Sequence, residues 1–252
     1  MCALDGTEAL TVLYEDSDTI AVVKPHGILS EDADCVCLPL LIKEALRVKG
    51  KETEIYPVHR LDKPTGGAIL YAKTRESAAR LSLAVAERRV QKTYLAVVVG
   101  CPEMREGTLT DHLYHDKRQN KVFVVKKGRK GAKEAILDYK VVGTVEHEGE
   151  QLSLLSIELR TGRTHQIRAQ LASRRLPILG DRRYGSRVSL PGTAIALWSN
   201  KLAFPMSSGS VEQVVSAPPE CHPWSLFREL LDGRRAEEPQ KNGRFVENNH
   251  LF

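Results

Sequence analysis

Three short segments of this chain hold polar residues where neither a simple core pattern nor a simple surface pattern would put them. The first is HRLDKPTGG over 59–67, where Asp62 falls at a turn stiffened by Pro64 and followed by two glycines, just ahead of an apolar run. A carboxylate is ionised at neutral pH without assistance, so at such a turn it can act as a nucleophile or base. Taken alone, Asp-x-Pro-x-Gly-Gly also reads as a plain turn. The second segment is KTYLAVVVG over 92–100, a strand pattern that puts Tyr94, Ala96 and Val98 on one face. A strand tyrosine by itself reads as core packing. The third is TGRTHQIRAQ over 161–170, a glycine turn feeding a helix. Arg168 on its own reads as an arginine of an exposed helix face.

The charge distribution indicates what such chemistry would meet. The 252-residue chain is only mildly basic, with 37 Lys and Arg against 32 Asp and Glu, a formal +5 and a pI near 8.9. Residues 160–187, however, contain eight arginines (160, 163, 168, 174, 175, 182, 183 and 187), no lysine and one acid, Asp181. Residues 115–133 contain Lys117, Arg118, Lys121, Lys126, Lys127, Arg129, Lys130 and Lys133 against Asp116. Each stretch carries +7, so the other 205 residues sum to −9. The guanidinium fork suits phosphate oxygens. Lys126, Lys127, Arg129 and Lys130, spaced by Gly128 and Gly131, read as a mobile basic loop able to follow a phosphate backbone. Two solvated charged faces are the plainer reading and a polyanion partner the better one; charge alone does not separate RNA from DNA.

Positioning these segments requires a framework. β-Branched runs at 11–14 and 19–23, parted by Asp16, Ser17 and Asp18, predict two strands. Helical spacing over 38–48 predicts a helix closed by Gly50. A strand over 68–72 follows the Asp62 turn. Thr74 is the expected N-cap of a helix to about residue 88, with Glu76 in its first turn and Ala78, Leu81 and Val85 on one face. A strand over 93–99 carries Tyr94. Residues 107–160 read as an antiparallel meander with strands at 107–113, 121–125, 135–145 and 152–160. A helix over 165–174 carries Arg168, with Ile167 and Leu171 inward. Strands at 194–204 and 211–216 and a helix over 223–231 complete a domain of residues 1–232. The polar, Pro- and Gly-broken residues 233–252 read as a mobile tail. Strands outnumber helices, and neither a βαβ alternation nor a GxGxxG or Walker signature occurs. The expected class is α+β, a mixed, mostly antiparallel β-sheet with flanking helices.

Composition narrows the field further. With 42% hydrophobic and 27% charged residues, collagen-like and wholly disordered readings fall away, and the length supports a core without disulfides or metals. No run of 18 apolar residues occurs. The first ten residues carry Asp5 and Glu8 and no basic residue, unlike a secretory signal or transit peptide. The five cysteines (Cys2, Cys35, Cys37, Cys101 and Cys221) are scattered, and Cys35 and Cys37 have the wrong spacing for a CxxC redox or zinc half-site. His112 and His115 lack a matching cysteine or carboxylate cluster. A cytoplasmic location and no structural metal are expected.

Together the three segments resemble the RluA-type family of RNA pseudouridine synthases. HRLD followed by Thr65 and Gly66, then KxYxAxVxG, then TGRTHQIR continuing to PILGD over 177–181 and to Tyr184 and Gly185, stand in the family's order and approximate spacing. Tyr14, Glu15 and Asp16 with VKPHG over 23–27 look like the family's first hairpin, so the resemblance covers about residues 11–220. Gly66 stands where the family often has serine, and Ala169 and Gln170 where Val-His is common. The chain starts at the catalytic domain, so a stand-alone catalytic domain without the S4-like RNA-binding module of many members is the expectation.

The resemblance implies a pseudouridine synthase fold with a central catalytic cleft, and isomerisation of specific uridines in structured ribosomal or transfer RNA. That reaction breaks the C1′–N1 bond, turns the uracil and rejoins C1′ to C5. No redox change occurs and no group is lost, so no cofactor and no metal are expected. By the same resemblance Asp62 is the nucleophile or base, Arg168 its guanidinium partner, and Tyr94 the residue that stacks on uracil and helps remove the C5 proton. The nucleotide must be extruded from its stack, at a cost of roughly a few kcal/mol, and Arg60 fills the vacated space. His59, Thr65, Arg163, His165 and Gln166 complete the substrate-binding set, and Lys126, Lys127, Arg129 and Lys130 the RNA-binding loop. RNA is the expected partner, with no membrane, no obligatory protein partner and a monomeric state. A catalytically silent RNA-binding protein on the same scaffold is the alternative, against which the intact Asp62, Tyr94 and Arg168 argue. A glycosidic-bond hydrolase would need a second carboxylate near the first, and no motif here supplies one.

Overall fold

The computed structural model describes residues 10–31 and 36–237; Cys2, Cys35 and residues 238–252 of the expected tail lie outside the described residues. Two central strands show how the sequence builds the fold. Thr19–Lys24 (β2) and Gly66–Ala72 (β4) are covered on both faces, and the two-residue period of a strand divides their side chains between two cores. Ile20, Val22, Ile69 and Tyr71 join one core, while Ala21, Ala68, Leu70 and Ala72 join the other. Leu38–Val48 (α1) covers the first through Leu38, Ile42 and Leu46, and Arg75–Ala86 (α2) covers the second through Leu81 and Ala84. Helix α2 starts at the expected cap: Thr74 accepts from the Ser77 N–H, and Ser77 answers with its side chain in a capping box.

Among the described residues, 11 strands form one sheet. Its path runs from Val12–Glu15 (β1) through β2, β4, Leu197–Pro205 (β10), Gln91–Val99 (β5), Glu150–Leu159 (β9), Lys133–His147 (β8) and Glu106–Asp116 (β6) to Lys121–Val125 (β7). Tyr56–Pro57 (β3) pairs with β4, and Val211–Val215 (β11) with β10. The strand pairs are antiparallel except β4 with β10, which meet in parallel at Gly66 with Trp198 and Gly67 with Ser199. The mixed, mostly antiparallel α+β class is borne out. This parallel seam explains the paired glycines. A Cβ on Gly66 would lie 2.3 Å from the Trp198 ring, and one on Gly67, whose φ is +109°, 2.3 Å from the Ser199 carbonyl oxygen. Glycine rather than serine at 66 is the complement of Trp198.

The 107–160 meander forms as expected, and its outer strands pack onto Gln166–Ser173 (α3), with Leu113, Val122 and Ala135 against Ala169 and Tyr184. Several boundaries differ from expectation by a few residues. Strand β10 begins at Leu197 rather than 194, because the Ile195 and Ala196 N–H groups are taken by Pro64 O (3.3 Å) and Leu179 O (2.9 Å) instead of a ladder. The last helix is a short 3₁₀ turn, Trp224–Phe227, followed by Arg228–Glu237 (α4), which runs past Gly233. Strand β3, two residues long, is too short to carry an alternation signal.

Candidate active site

Asp62 stands in a turn whose carbonyls from 61 to 64 are all held. Ser30 Oγ donates to Leu61 O (2.8 Å), Thr65 N to Asp62 O (2.9 Å), Gly27 N to Lys63 O (2.8 Å) and Ile195 N to Pro64 O (3.3 Å). Lys24 is fully buried and spends its ammonium on the carbonyls of Pro25, Ile28 and Lys63, at 2.9, 2.8 and 3.2 Å. Burial pulls Lys24 down to about 7, with the nearby Asp62 charge opposing that fall. The VKPHG segment therefore grips the turn from one side and residue 195 from the other. The Asp62 side chain is left 18% exposed.

Helix α3 brings Arg168 to it. Residues 166–171 of this helix are all buried, so its polar members need partners inside the protein. Gln166 Oε1 accepts from Thr161 Oγ1 (2.8 Å) and Arg163 N (3.0 Å), and its Nε2 donates to Ile136 O (3.1 Å). Gln170, one of the two departures from the family pattern on this helix, donates to Leu109 O (3.2 Å) and Asp111 Oδ2 (2.7 Å). Arg168 donates through Nη1 to Asp62 Oδ2 at 3.0 Å, while Nε and Nη2 grip both oxygens of buried Asp181 at 2.6 and 3.0 Å. The bidentate fork fixes the plane of the guanidinium. Burial works against the Arg168 charge, but Asp181 and then Asp62 outweigh it and hold the group protonated.

His165 caps α3 in the left-handed region, φ 48°. Tyr184 Oη accepts from the Val122 N–H (2.8 Å) and shares a hydrogen bond with His165 Nδ1 (2.9 Å). His165 Nε2 lies 3.8 Å from Asp62 Oδ2. Burial moves His165 below the ordinary histidine range, the Asp62 charge opposing, and the ring is neutral at pH 7. Tyr94, buried on β5 opposite Ser199 and Ile157, has its phenol pushed up by burial and by the Asp62 charge.

A cleft of about 430 Å³ brings together Asp62, Tyr94 and Arg168 with the expected His59, Arg60, Thr65, Arg163, His165 and Gln166. Asp62 is the only carboxylate lining it among the described residues. Thr65 Oγ1 is buried there without a hydrogen-bond partner. Gln166 differs in kind from the rest, since its amide is spent within the protein. His59 accepts from the Leu70 N–H at Nε2 (3.1 Å) and is kept neutral by burial and by the charge of Lys92. Arg60 is at the exposed rim, 3.3 Å from Glu31. Lys126, Lys127, Arg129 and Lys130 are exposed between β7 and β8 and do not line the cleft; the Arg129 guanidinium lies 3.9 Å from the centre of the Tyr114 ring.

Sequence reasoning gave no role to Asp181, Tyr184 or Lys92. Asp181 did leave a trace, as the one acid among eight arginines. Several of those arginines bind inward: Arg160 to Asp138, Arg163 to Glu134 O, Arg174 to Asp111, and Arg183 to the carbonyls of Gln119 and Asn120. The run is therefore in part a set of ties and not wholly a phosphate-binding surface.

Residues 18–173 match the family model described as RNA pseudouridylate synthase. The chain is 34% identical over 229 residues to the ribosomal large subunit pseudouridine synthase D of Borreliella burgdorferi, covering 87% of this chain and 68% of that protein. It is 34% identical over 196 residues to an uncharacterized RNA pseudouridine synthase of Bacillus subtilis, covering 77% and 63%. It is 30% identical over 188 residues to tRNA pseudouridine synthase C of Yersinia pestis, covering 70% of each. The chain thus spans between 63% and 70% of the length of these relatives. The solved structure of human RNA pseudouridylate synthase domain containing 4 superposes with a TM-score of 0.69 at 21% identity, over 89% of this chain and 93% of that one, a likeness of fold.

Proposed function

The chain belongs to the RNA pseudouridylate synthase family, and from that premise we propose that it isomerises one or more uridines of a structured RNA, ribosomal or transfer, to pseudouridine. The observation that carries this reading is a lone cleft carboxylate, Asp62, held by an arginine that is itself clamped by a second, buried carboxylate, with a tyrosine alongside. Asp62 attacks the sugar or the uracil ring as the C1′–N1 bond breaks. The freed uracil turns, C1′ bonds to C5, and the C5 proton leaves while N1 ends protonated, so atoms and electrons balance without a further reactant. Arg168 aims the carboxylate through a charge-assisted hydrogen bond. Tyr94 offers its ring for stacking. Its phenol stays protonated, so it accepts the C5 proton only as it passes its own onward.

A hydrolase reading is the weaker one, because two carboxylates flanking the sugar are needed for it and Asp181 is turned into Arg168 rather than into the cleft. Arg60 at the rim suits replacement of the extruded nucleotide, and the loop from Lys126 to Lys130 suits the RNA backbone. A cytoplasmic location and action as a monomer belong to the same reading. The test is Asp62→Asn, with pseudouridine mapped chemically in RNA from cells carrying the wild type, the variant or neither. The variant is expected to abolish isomerisation while leaving the fold and RNA affinity nearly intact. Near-wild-type conversion would remove Asp62 from the chemistry, and release of free uracil would favour the hydrolase.

A further inference from the structure

Most cations of the cleft already have acceptors. Arg168 has Asp181 and Asp62, Arg160 has Asp138, Arg163 has the Glu134 carbonyl, and Arg60 has Glu31. Lys92 is different. It is half-buried, it lines the cleft, and among the described residues its ammonium donates to nothing and pairs with no carboxylate. A desolvated ammonium has three strong donors and no acceptor, and leaving it unpaired is costly. Its neighbour His59 cannot relieve it. That ring is neutral, its Nε2 already accepts from Leu70, and its buried Nδ1 makes no hydrogen bond of normal geometry. Nor does Asp62 pair with it, its basic neighbours within 4 Å among the described residues being Arg168 and His165. This corner of the cleft therefore offers donors and lacks an acceptor.

The position of Lys92 identifies the missing group. Lys92 precedes Tyr94 by two residues on β5, so both point to the same face. At a rise of about 3.4 Å per residue they are about 7 Å apart along the strand, comparable to the reach from a nucleobase to a phosphate of its own backbone. We infer that Lys92 is a phosphate subsite, binding a backbone phosphate that flanks the uridine stacked on Tyr94. The inference rests on the reading of the cleft as a uridine site. It adds a charged contact inside the cleft, separate from the exposed loop, that is made only when the nucleotide has left its helix. A phosphate oxygen supplies the acceptor that Lys92 lacks, in a charge-assisted hydrogen bond that is shorter and stronger than a neutral one. No atom is transferred in this step.

The probes are uridine, uridine 3′-monophosphate and uridine 5′-monophosphate, titrated calorimetrically into the full chain. One of the two monophosphates is expected to bind about tenfold more tightly than uridine, the worth of one charge-assisted hydrogen bond in the lower part of its range. Lys92→Met should reduce that preference to about twofold or less, and Lys92→Arg should restore it. Because a variant can fail to fold, the wild type gives a second readout: the same monophosphate, and not uridine, should slow acylation of Lys92, followed on its peptide by mass spectrometry. Asp62→Asn should keep the preference for nucleotide over nucleoside, so a failed aspartate assignment and a failed phosphate subsite give different results. The inference is overturned if neither monophosphate outbinds uridine, if Lys92→Met keeps the preference, or if Lys92 acylates at the same rate with and without nucleotide.

Discussion

Asp62 is a common residue in an uncommon setting, and the setting is made by Asp181. The guanidinium between them gives its Nε and Nη2 to Asp181 and its Nη1 to Asp62, so the buried carboxylate sets the angle at which the cleft one is held. Removing one partner of a buried ion pair leaves the other uncompensated and typically costs about 3–5 kcal/mol. Asp181→Ala is expected to lose stability on that scale in urea unfolding. Where the variant remains folded, turnover should fall with little change in RNA affinity, because Asp181 does not face the cleft. At this scale the sequence was legible where a motif named the residue, as for Asp62, Tyr94 and Arg168. It was silent where a role depends on what lies opposite in space. Tyr184 earned notice only as half of a Tyr-Gly pair, and nothing in its neighbourhood along the chain announces Val122 and His165 as its partners. Lys92 is likewise distinguished by the acceptor it lacks, which no string of letters records.

The elements that place these groups differ in how openly their sequences declare them. Helix α2 has a cap and an apolar stripe, and both were readable. Helix α3 has neither an amphipathic face nor a capping side chain, because residues 166–171 are all buried and their polar members are satisfied by strands from the meander. Its start was legible from the glycine turn, but its burial was not, and Arg168 alone would have been assigned to solvent. The meander carries the most basic turn, between β7 and β8. Because its outer strands pack on α3 through Val122, Ala135 and Ala169, a backbone bound there lies on the same structural unit as Arg168. Replacing Lys126, Lys127, Arg129 and Lys130 by glutamine is expected to weaken RNA binding and to lower the slope of log affinity against log salt by about 3, if each contacts one phosphate. Anisotropy titrations across a salt series measure it. An unchanged slope would take the loop off the RNA surface.

At the scale of the whole molecule, the mildly basic sum conceals two segments of +7 on a remainder of −9, and both segments fold around α3. The interior also carries half-buried histidines. His26, His59 and His165 all fall below the ordinary histidine range, with burial the leading cause in each. The denatured chain protonates them near pH 6.5 while the folded one keeps them neutral, so the denatured state holds more protons as pH falls. Stability is therefore expected to drop as pH is lowered from about 7 to 5, before the carboxylates titrate. Urea midpoints across that range test it, and His165→Gln should flatten the dependence. The fold class was legible because strand alternation and hairpin spacing are local, whereas the parallel pairing of β4 with β10 was not. That seam has a consequence in time. Ser199 Oγ reaches Ala68 O across 131 residues of chain, and the Asp62 turn is gripped by Ile195. A chain emerging from its N-terminus thus displays an unset carboxylate through most of its synthesis. The turn that holds Asp62 is complete only once β10 slots between β4 and β5.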